Sequence, residues 1–544
     1  MRLRGHVVAG AVVLVVASVL AGFGGYFFID EAALYAQVEV LDATGEWTLP
    51  RPFPGADTDA STVPMARSDV VGDRYAPFAK HPVHVLLARG ADLVGGEVGI
   101  RLLSSAAVLA AGVAAALLSG ESSRRRVVAF WTTIVASPLL FHANLVVAHG
   151  VAAAVVGFLF VVSSRRPVTA GWVSATAVLA LAAGLLRSEA VLLALAGSVP
   201  LAWSAVRRRS RGEGARALAM ASGGMAAYLL EPWLRRLAIG GGSDAAGVPA
   251  AGSTPGDLVE AAARSVLEVQ GSAATTRGTV GVVLCAVASL VAIVLVARPR
   301  SDAAITVLAG VVALVGAAMF AIEPHVVTGL LWAFPALLVL VGAVAGSDGV
   351  DVGPRKPLLA AALFAFLVAA TQYSVGGGVE WGWRYVAVAV PLVTPAVAAV
   401  ATALWDRRRP GTTAALTAVA AAAVVVQVGG LRMQRAAIEQ SELFLERAEA
   451  VAAATDPGWI VSLDASFGRF AYPLSIDGEL ATASSDDLAP VLDRLGDQGV
   501  DRVLLVWRSP VEPPLGDLDG YAADGAITRI GSGYRATILE HRGS

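Results

Sequence analysis

The sequence has little charge, almost no lysine and a single cysteine. Of its 544 residues only 15% are charged and 56% are hydrophobic, whereas roughly a quarter of an average soluble domain is charged. This composition excludes an ordinary soluble protein, and a net charge of -2 gives no electrostatic reason to expect a nucleic-acid partner. Cys285 stands alone in an apolar run, so no disulfide can form within these residues. Lys80 and Lys356 are the only lysines among arginines.

Long apolar runs occupy most of the first 431 residues. A membrane-spanning helix needs roughly 20 mostly apolar residues, and the sequence contains about thirteen such runs. They lie near 7–28, 98–119, 127–141, 144–162, 168–187, 189–206, 217–238, 278–297, 303–322, 326–345, 358–375, 384–405 and 413–431. The sequence therefore predicts a polytopic α-helical membrane protein with a membrane domain over residues 1–431.

The arginine clusters all fall on one side of this count. They lie in short loops at 1–6, 122–126, 163–167, 207–216, 298–301, 353–357 and 405–410. Because basic residues in short loops mark the cytoplasmic side, we expect a cytoplasmic N-terminus in a multi-pass plasma-membrane protein. Residues 29–97, 239–277, 376–383 and everything after about 432 are then outside. The first run resembles a signal peptide in part, but its length favours a retained helix.

The pattern changes after residue 431. The segment "MQRAAIEQSELFLERAEAVAAA" (433–454) has the period of an amphipathic helix. Two short β-type runs, "WIVSLD" (459–464) and "DRVLLVW" (501–507), flank a capped helical pattern between them. Residues 432–544 are therefore predicted to form a small extracytoplasmic α/β domain.

Two adjacent carboxylates, Asp30 and Glu31, follow the first apolar run. A solvated helix end is the simplest interpretation. Carboxylates of ion or proton pathways usually lie inside spans, which argues against that role. A site for a hard cation and a general base at the membrane surface are the other interpretations, and the acids alone do not decide between them.

Several segments in a fixed order accompany these acids. They are Tyr35, "GEWTLP" (45–50), Tyr75, "KHP" (80–82), "GIRLLSS" (99–105), "GLLRSEAVLL" (184–193) and "WGWRYVAVAVPLV" (381–393). Together they resemble the membrane glycosyltransferases of the GT-C fold, and more narrowly the protein O-mannosyltransferase and aminoarabinose-transferase superfamily. The resemblance covers residues 1 to about 431.

The resemblance implies a reaction and a set of partners. The donor would be a sugar on a polyprenyl phosphate in the bilayer, and the acceptor a lipid, glycan or protein outside the cell. Transfer would be a single inverting displacement, with Asp30 as the base and Glu31 orienting it or contacting the acceptor. Lys80, Arg384 and Tyr385 would bind the donor phosphate. The scarcity of lysine favours such a role for Lys80, and the alternative is a side chain that anchors the loop at the lipid headgroups.

A wider set of residues is expected to contact substrate: Tyr35, Tyr75, His149, Arg187, Glu189, Glu323 and His325. Arg187 and Glu189 either pair with each other or touch ligand. His149 stands in a loop where the family often carries an acidic residue, so it either replaces that residue or the role is absent.

No cofactor is expected with certainty, and a divalent metal is the alternative. His81, His84 and His325 are candidate ligands. Members of the family that resemble the aminoarabinose enzymes carry a glutamate just before the lysine of the "KHP" segment. Here that position is Ala79, which weakens the metal hypothesis.

Two other classes compete with an enzyme. A secondary transporter predicts inverted repeats with broken spans in matching positions, and the sequence has no such symmetry. A non-catalytic membrane scaffold that displays the C-terminal domain remains an alternative.

Overall fold

The computed structural model describes most of the chain. The described residues are 3–53, 62–65, 68–240, 280–284, 286–288, 290–291, 303–322, 327, 329–340, 353–371, 381–407, 410–476, 479–510, 513, 518, 520–524, 526–531 and 533–542. Cys285, Glu323 and His325, which the sequence singled out, lie outside the described residues.

Helices dominate the described residues. The first nine are α1 (Leu3–Ala21), α2 (Ile29–Thr44), α3 (Pro82–Leu118), α4 (Ser123–Ile134), α5 (Leu139–His142), α6 (His149–Ser163), α7 (Ala170–Leu186), α8 (Glu189–Arg208) and α9 (Arg211–Ile239). They are followed by α10 (Ala303–Ile322), α11 (Leu330–Ala333), α12 (Arg355–Thr371), α13 (Val390–Asp406), α14 (Pro410–Thr455), α15 (Phe467–Phe470), α16 (Tyr472–Ile476) and α17 (Leu488–Asp497). Short 3₁₀ helices cover Pro335–Leu337 and Arg384–Ala389.

Five of the described helices are long and apolar enough to cross a membrane. They are Leu3–Ala21, Pro82–Leu118, Glu189–Arg208, Arg384–Asp406 and Gly411–Thr455. Shorter apolar helices, among them α6 and α7, accompany them. The predicted class, a polytopic α-helical membrane protein, is confirmed, while the number of thirteen spans and the sidedness of the loops stay predictions.

The first span ends earlier than the sequence predicted. Helix α1 stops at Ala21 rather than near residue 28, because Gly22 and Gly24 take positive φ angles of 95° and 92°. Glycine adopts this left-handed backbone without a steric penalty. A new helix, α2, then begins at Ile29, so the two acids lie on the first turn of a second helix and not at the exit of the first.

The last apolar run continues into the amphipathic segment as one helix, α14. We expected a span ending near 431 and a separate helix after it. Helix α14 runs through Gly429 and Gly430 without a break. Both glycines lie where a neighbouring aromatic ring approaches the helix closely. A Cβ atom at Gly429 would lie 2.5 Å from the Phe320 ring, and one at Gly430 would lie 2.9 Å from the Trp381 ring.

The chain divides into two compact units. The helical unit comprises Met1–Ala21, Val98–Glu231 and Gly247–Arg435. Within it α6 packs against α7, α4 against α13 and α8 against α12. The sheet unit comprises Gly22–Glu97, Pro232–Ala246 and Ala436–Ser544.

The sheet unit contains two sheets. The smaller one joins β1 (Leu49–Pro50), β3 (Arg74–Ala76) and β2 (Asp69–Val71) in that spatial order. The larger one is formed by β4 (Trp459–Ser462), β5 (Leu480–Thr482), β6 (Arg502–Arg508), β7 (Tyr521–Ala523), β8 (Thr528–Gly531) and β9 (Tyr534–His541). Strands β5, β4 and β6 are parallel, and β6 pairs antiparallel with β9. Helix α17 lies between β5 and β6 in sequence, so the C-terminal α/β arrangement is present as predicted.

The core of the sheet unit joins residues that are far apart in sequence. The Phe53 ring stacks on Trp459 at 5.4 Å, and the backbone N–H of Thr482 donates to the carbonyl of Thr62 at 3.1 Å. Both partners from the first loop belong to the segment 29–97, which the sequence assigned to the membrane domain. That segment and the C-terminal residues therefore share one compact unit.

Candidate active site

Glu31 is a structural part of the first turn of α2. Phe28, the residue that precedes the helix, supplies no side-chain cap. Instead the backbone N–H of Phe27 donates to Glu31 Oε2 at 2.7 Å. This bond ties the residue before Phe28 to the first turn of α2, and a carboxylate in that turn also interacts favourably with the helix dipole. Glu31 is fully buried, so it fixes the start of α2, the turn that carries Asp30.

Asp30 forms an ion pair with an arginine from the C-terminal part of the chain. Arg469 Nη1 lies 3.3 Å from Asp30 Oδ1. The Asp30 side chain is 26% exposed, whereas that of Arg469 is only 2% exposed. The carboxylate is therefore accessible from one side and held by a buried cation on the other.

Helix α15, which carries Arg469, is held in place by contacts of its own backbone. The Ser475 hydroxyl donates to the carbonyl of Gly468 at 2.8 Å, and the Tyr26 hydroxyl donates to the carbonyl of Phe470. A Cβ atom at Gly468 would lie 1.9 Å from the carbonyl oxygen of Pro64. The absence of a side chain at Gly468 thus allows the loop before β2 to approach α15.

This close approach predicts the effect of adding one methyl group. Gly468→Ala should destabilise the protein by about 1–3 kcal/mol, since a backbone carbonyl cannot move away as a flexible side chain would. Thermal unfolding of the purified protein in detergent measures the change. Gly90→Ala is the matched control, because a Cβ there meets nothing within 4 Å. Equal melting temperatures for the Gly468 variant and the wild type would contradict the assigned packing.

Two tyrosines from the predicted substrate set have structural partners in the sheet unit. The Tyr35 ring stacks on Tyr472 at 6.2 Å, and its hydroxyl donates to Glu97 Oε1 at 3.2 Å. Tyr75 is 1% exposed and its hydroxyl donates to the carbonyl of Ser475 at 3.1 Å. Burial raises the pKa of Tyr75 above its usual value, so this phenol stays neutral. Both tyrosines are therefore buried residues with structural partners.

Lys80 is exposed on a segment that is anchored to α2. The buried side chain of Gln37 accepts a hydrogen bond from the backbone N–H of Phe78 at 3.0 Å and donates to the carbonyl of Trp47 at 3.0 Å. Trp47 belongs to the "GEWTLP" segment. Gln37 therefore joins that segment and the one before Lys80 to the helix that carries Asp30.

The helical unit contains a separate group of charged and imidazole side chains. Arg187 and Glu189 form a double hydrogen bond, with Nε–Oε2 at 3.0 Å and Nη2–Oε1 at 2.6 Å. The rings of His142 and His149 lie 5.0 Å apart, and both residues are buried. The sequence left open whether Arg187 and Glu189 pair with each other or touch ligand. In the structure the two side chains bind each other.

Burial and the nearby guanidiniums of Arg384 and Arg187 lower the pKa of His142 to about 3. This imidazole is therefore neutral at physiological pH, and the positive charge of the group resides on the arginines. Arg384 opens the 3₁₀ helix and lies over the Tyr385 ring, 5.1 Å from its centroid. A charged guanidinium on an aromatic face is a suitable partner for an anionic ligand.

No cluster of three metal-ligating side chains is found among the described residues. His81 and His84 belong to that part of the chain, but the third suggested ligand, His325, does not. The metal hypothesis gains no support from these positions.

The residue that sequence reasoning missed is Arg469. It is separated from Asp30 by 439 positions, and no local pattern distinguishes it from the other arginines. Its burial next to a carboxylate is visible only once the chain is folded.

Comparison with known proteins identifies the fold. No known family profile matches the sequence, and no curated protein matches it significantly. Its structure is similar to that of ArnT from Cupriavidus metallidurans bound to undecaprenyl phosphate, with a TM-score of 0.56 and 11% identity over 98% of both chains. The apo form of ArnT aligns with a TM-score of 0.50 and 10% identity, over 99% of this chain and 98% of ArnT. The oligosaccharyltransferase of Archaeoglobus fulgidus aligns with a TM-score of 0.41 and 12% identity, over 91% of this chain and 69% of that one.

The similarity to ArnT places the chain in the GT-C fold, as the sequence resemblance implied. The similarity extends over nearly the whole chain, including the C-terminal residues that lay beyond the sequence resemblance.

Proposed function

We propose that the chain is a plasma-membrane glycosyltransferase that moves a sugar from a polyprenyl-phosphate donor to an extracytoplasmic acceptor. The observation that carries the proposal is Asp30: in a GT-C fold, a partly exposed carboxylate on the first turn of α2 is held by the buried Arg469. The structural neighbour ArnT binds undecaprenyl phosphate, which supports a donor of that class.

In this mechanism Asp30 is the general base. Its carboxylate takes the proton from an acceptor hydroxyl or amine while the acceptor oxygen or nitrogen attacks the anomeric carbon from the face opposite the phosphate. The bond between the anomeric carbon and the phosphate oxygen breaks, and its electron pair leaves with the phosphate. One displacement therefore inverts the anomeric configuration. A phosphate needs no proton to depart, so the mechanism requires no general acid, unlike paired-carboxylate glycoside hydrolysis.

The leaving phosphate needs positive charge, since negative charge accumulates on it in the transition state. Lys80 and Arg384, with Tyr385 beside it, are the proposed donor-phosphate residues. Lys80 is exposed on a segment anchored by Gln37, and Arg384 lies on the Tyr385 ring. The roles of Glu31 and Arg469 are to fix the carboxylate of Asp30, one through the start of α2 and the other through the ion pair.

A panel of donors tests this proposal directly. The purified protein in nanodiscs is incubated with polyprenyl phosphates that carry different hexoses and pentoses, together with a membrane extract as acceptor source. Release of polyprenyl phosphate and the anomeric configuration of the product are followed by mass spectrometry and NMR. We expect one donor to be consumed with inversion. A donor that is moved across the bilayer intact would indicate a transporter, and a panel left unchanged would favour a scaffold.

A further inference from the structure

Two cavities lie side by side in the helical unit, on the face where the basic loops meet. The first has a volume of about 480 Å³ and is lined by four basic residues, Arg126, Arg165, Arg355 and Lys356. The second has a volume of about 460 Å³ and is lined by Arg207, Arg208 and the same Arg355 and Lys356. Among the described residues, neither lining contains a carboxylate. Each cavity thus presents positive charge from at least two separate helix ends.

Each cavity also has apolar residues in its lining. Leu117, Leu118 and Val161 line the first cavity, and Trp203 and Leu359 line the second. Trp203 is 64% exposed and Leu359 48% exposed, which suits side chains that face lipid. Tryptophan is enriched at the level of the lipid headgroups, so the second cavity has the character of a membrane-interface site.

Lys356 is oriented by a partner outside the cavity lining. Its ammonium lies 3.0 Å from Glu213 Oε2, and the Glu213 side chain is only 8% exposed. Arg126 is likewise fixed, since its Nε donates to the carbonyl of Gly120 at 2.6 Å. Fixed cations lose less conformational entropy when they bind an anion than mobile surface side chains do.

We propose that this basic cleft binds the phosphate headgroup of an anionic membrane phospholipid, with its acyl chains along the apolar walls. Basic pockets between transmembrane helices are suited to anionic lipids, and a phosphate group alone would leave the leucine, valine and tryptophan walls in contact with water. The cleft is defined by Arg126, Arg165, Arg207, Arg208, Arg355 and Lys356. It involves none of the residues assigned to the transfer reaction, and its occupant is independent of the sugar donor.

Native mass spectrometry of the full chain in a neutral detergent tests the proposal. Phosphatidylglycerol and phosphatidylcholine with identical acyl chains are titrated separately, and retained lipid is counted. We expect phosphatidylglycerol to be retained at concentrations at least tenfold lower. The double variant Arg165→Gln, Arg355→Gln should weaken its binding tenfold or more, because it removes two of the positive charges that attract the anionic headgroup.

The matched control is Arg211→Gln, which removes an exposed arginine from the same group of loops but lines neither cavity. The single variants Arg165→Gln and Arg355→Gln replace the double variant if it does not fold, and each should weaken binding several-fold. Equal retention of both lipids would overturn the proposal, as would an equal loss of binding in the control. Displacement of phosphatidylglycerol by millimolar inorganic phosphate would show that the cleft recognises a free anion and not a lipid.

Discussion

Replacing Asp30 with asparagine is expected to reduce kcat for sugar transfer by about 10²–10⁴-fold, the range typical of general-base loss. The amide has nearly the shape of the carboxylate, and its oxygen can still accept the hydrogen bond from Arg469. It cannot take a proton from the acceptor at neutral pH. Because the donor phosphate does not bind to this residue in the proposed mechanism, KM for the donor should change by no more than about twofold. Initial rates of polyprenyl-phosphate release measure both constants.

Helix α2 itself supplies the matched control. Asp42 lies on the same helix and also pairs with an arginine, with Arg89 Nε 2.7 Å from Asp42 Oδ1. Both side chains of that pair are about one-third exposed, so the pair contributes about 0–1 kcal/mol to stability. Asp42→Asn should leave kcat unchanged. If Asp30→Asn retained more than half of the wild-type rate, Asp30 would not be the base and the proposed mechanism would be wrong.

The membrane helices were predictable because each depends on a local property, the length of an apolar run. Helix α10 has the same bounds as the run read at 303–322, and α8 begins at Glu189 as the sequence indicated. Strand β4 falls within the β-type run read at 459–464, and β6 (Arg502–Arg508) overlaps the run read at 501–507 and ends one residue after it. Periodicity and hydropathy identify such elements without knowledge of their neighbours.

Other features depend on what each segment packs against, and the sequence alone could not supply them. The last apolar run was expected to end near residue 431, but the helix continues past Gly429 and Gly430, which make room for Phe320 and Trp381. The break after Ala21 separated Asp30 from the first span, although the apolar character of the chain continues to residue 28. In both cases the local sequence allowed the helix either to end or to continue, and tertiary packing or backbone geometry determined which occurred.

Some residues of the candidate site could likewise be predicted from the sequence, and others could be identified only in the fold. Asp30 and Lys80 were predicted because their residue types stand out within a recognisable order of segments. Arg469 has no such signal, and its role follows from a contact across 439 positions. A residue whose function is to hold another side chain is identified by distance and burial, which only the folded chain provides.

Removing the Arg469 guanidinium should lower kcat for sugar transfer, although by less than the replacement of Asp30. Arg469→Gln leaves the carboxylate without its buried cation, so the carboxylate can turn away from the position needed for proton transfer. Misplacement of a reacting group by about 1 Å can cost about 10²-fold in rate, and we expect kcat to fall by about 10–100-fold with KM for the donor nearly unchanged. Arg469→Lys retains the charge and should recover part of the loss. Arg89→Gln, which breaks the corresponding ion pair of Asp42, should leave kcat unchanged.

Arg469 could act only by stabilising the fold, or it could act by positioning Asp30. The two roles predict different effects on kcat, and a double-mutant cycle distinguishes them. If Arg469 only stabilised the fold, its variants would lower the melting temperature and the yield, while kcat per folded molecule would stay constant. If it acts by positioning Asp30, Arg469→Gln should have almost no further effect on kcat once Asp30 is asparagine, because residues that act as one unit are strongly non-additive. Independent, multiplicative losses in the double variant would exclude the positioning role, since Arg469 would then contribute to the reaction without Asp30.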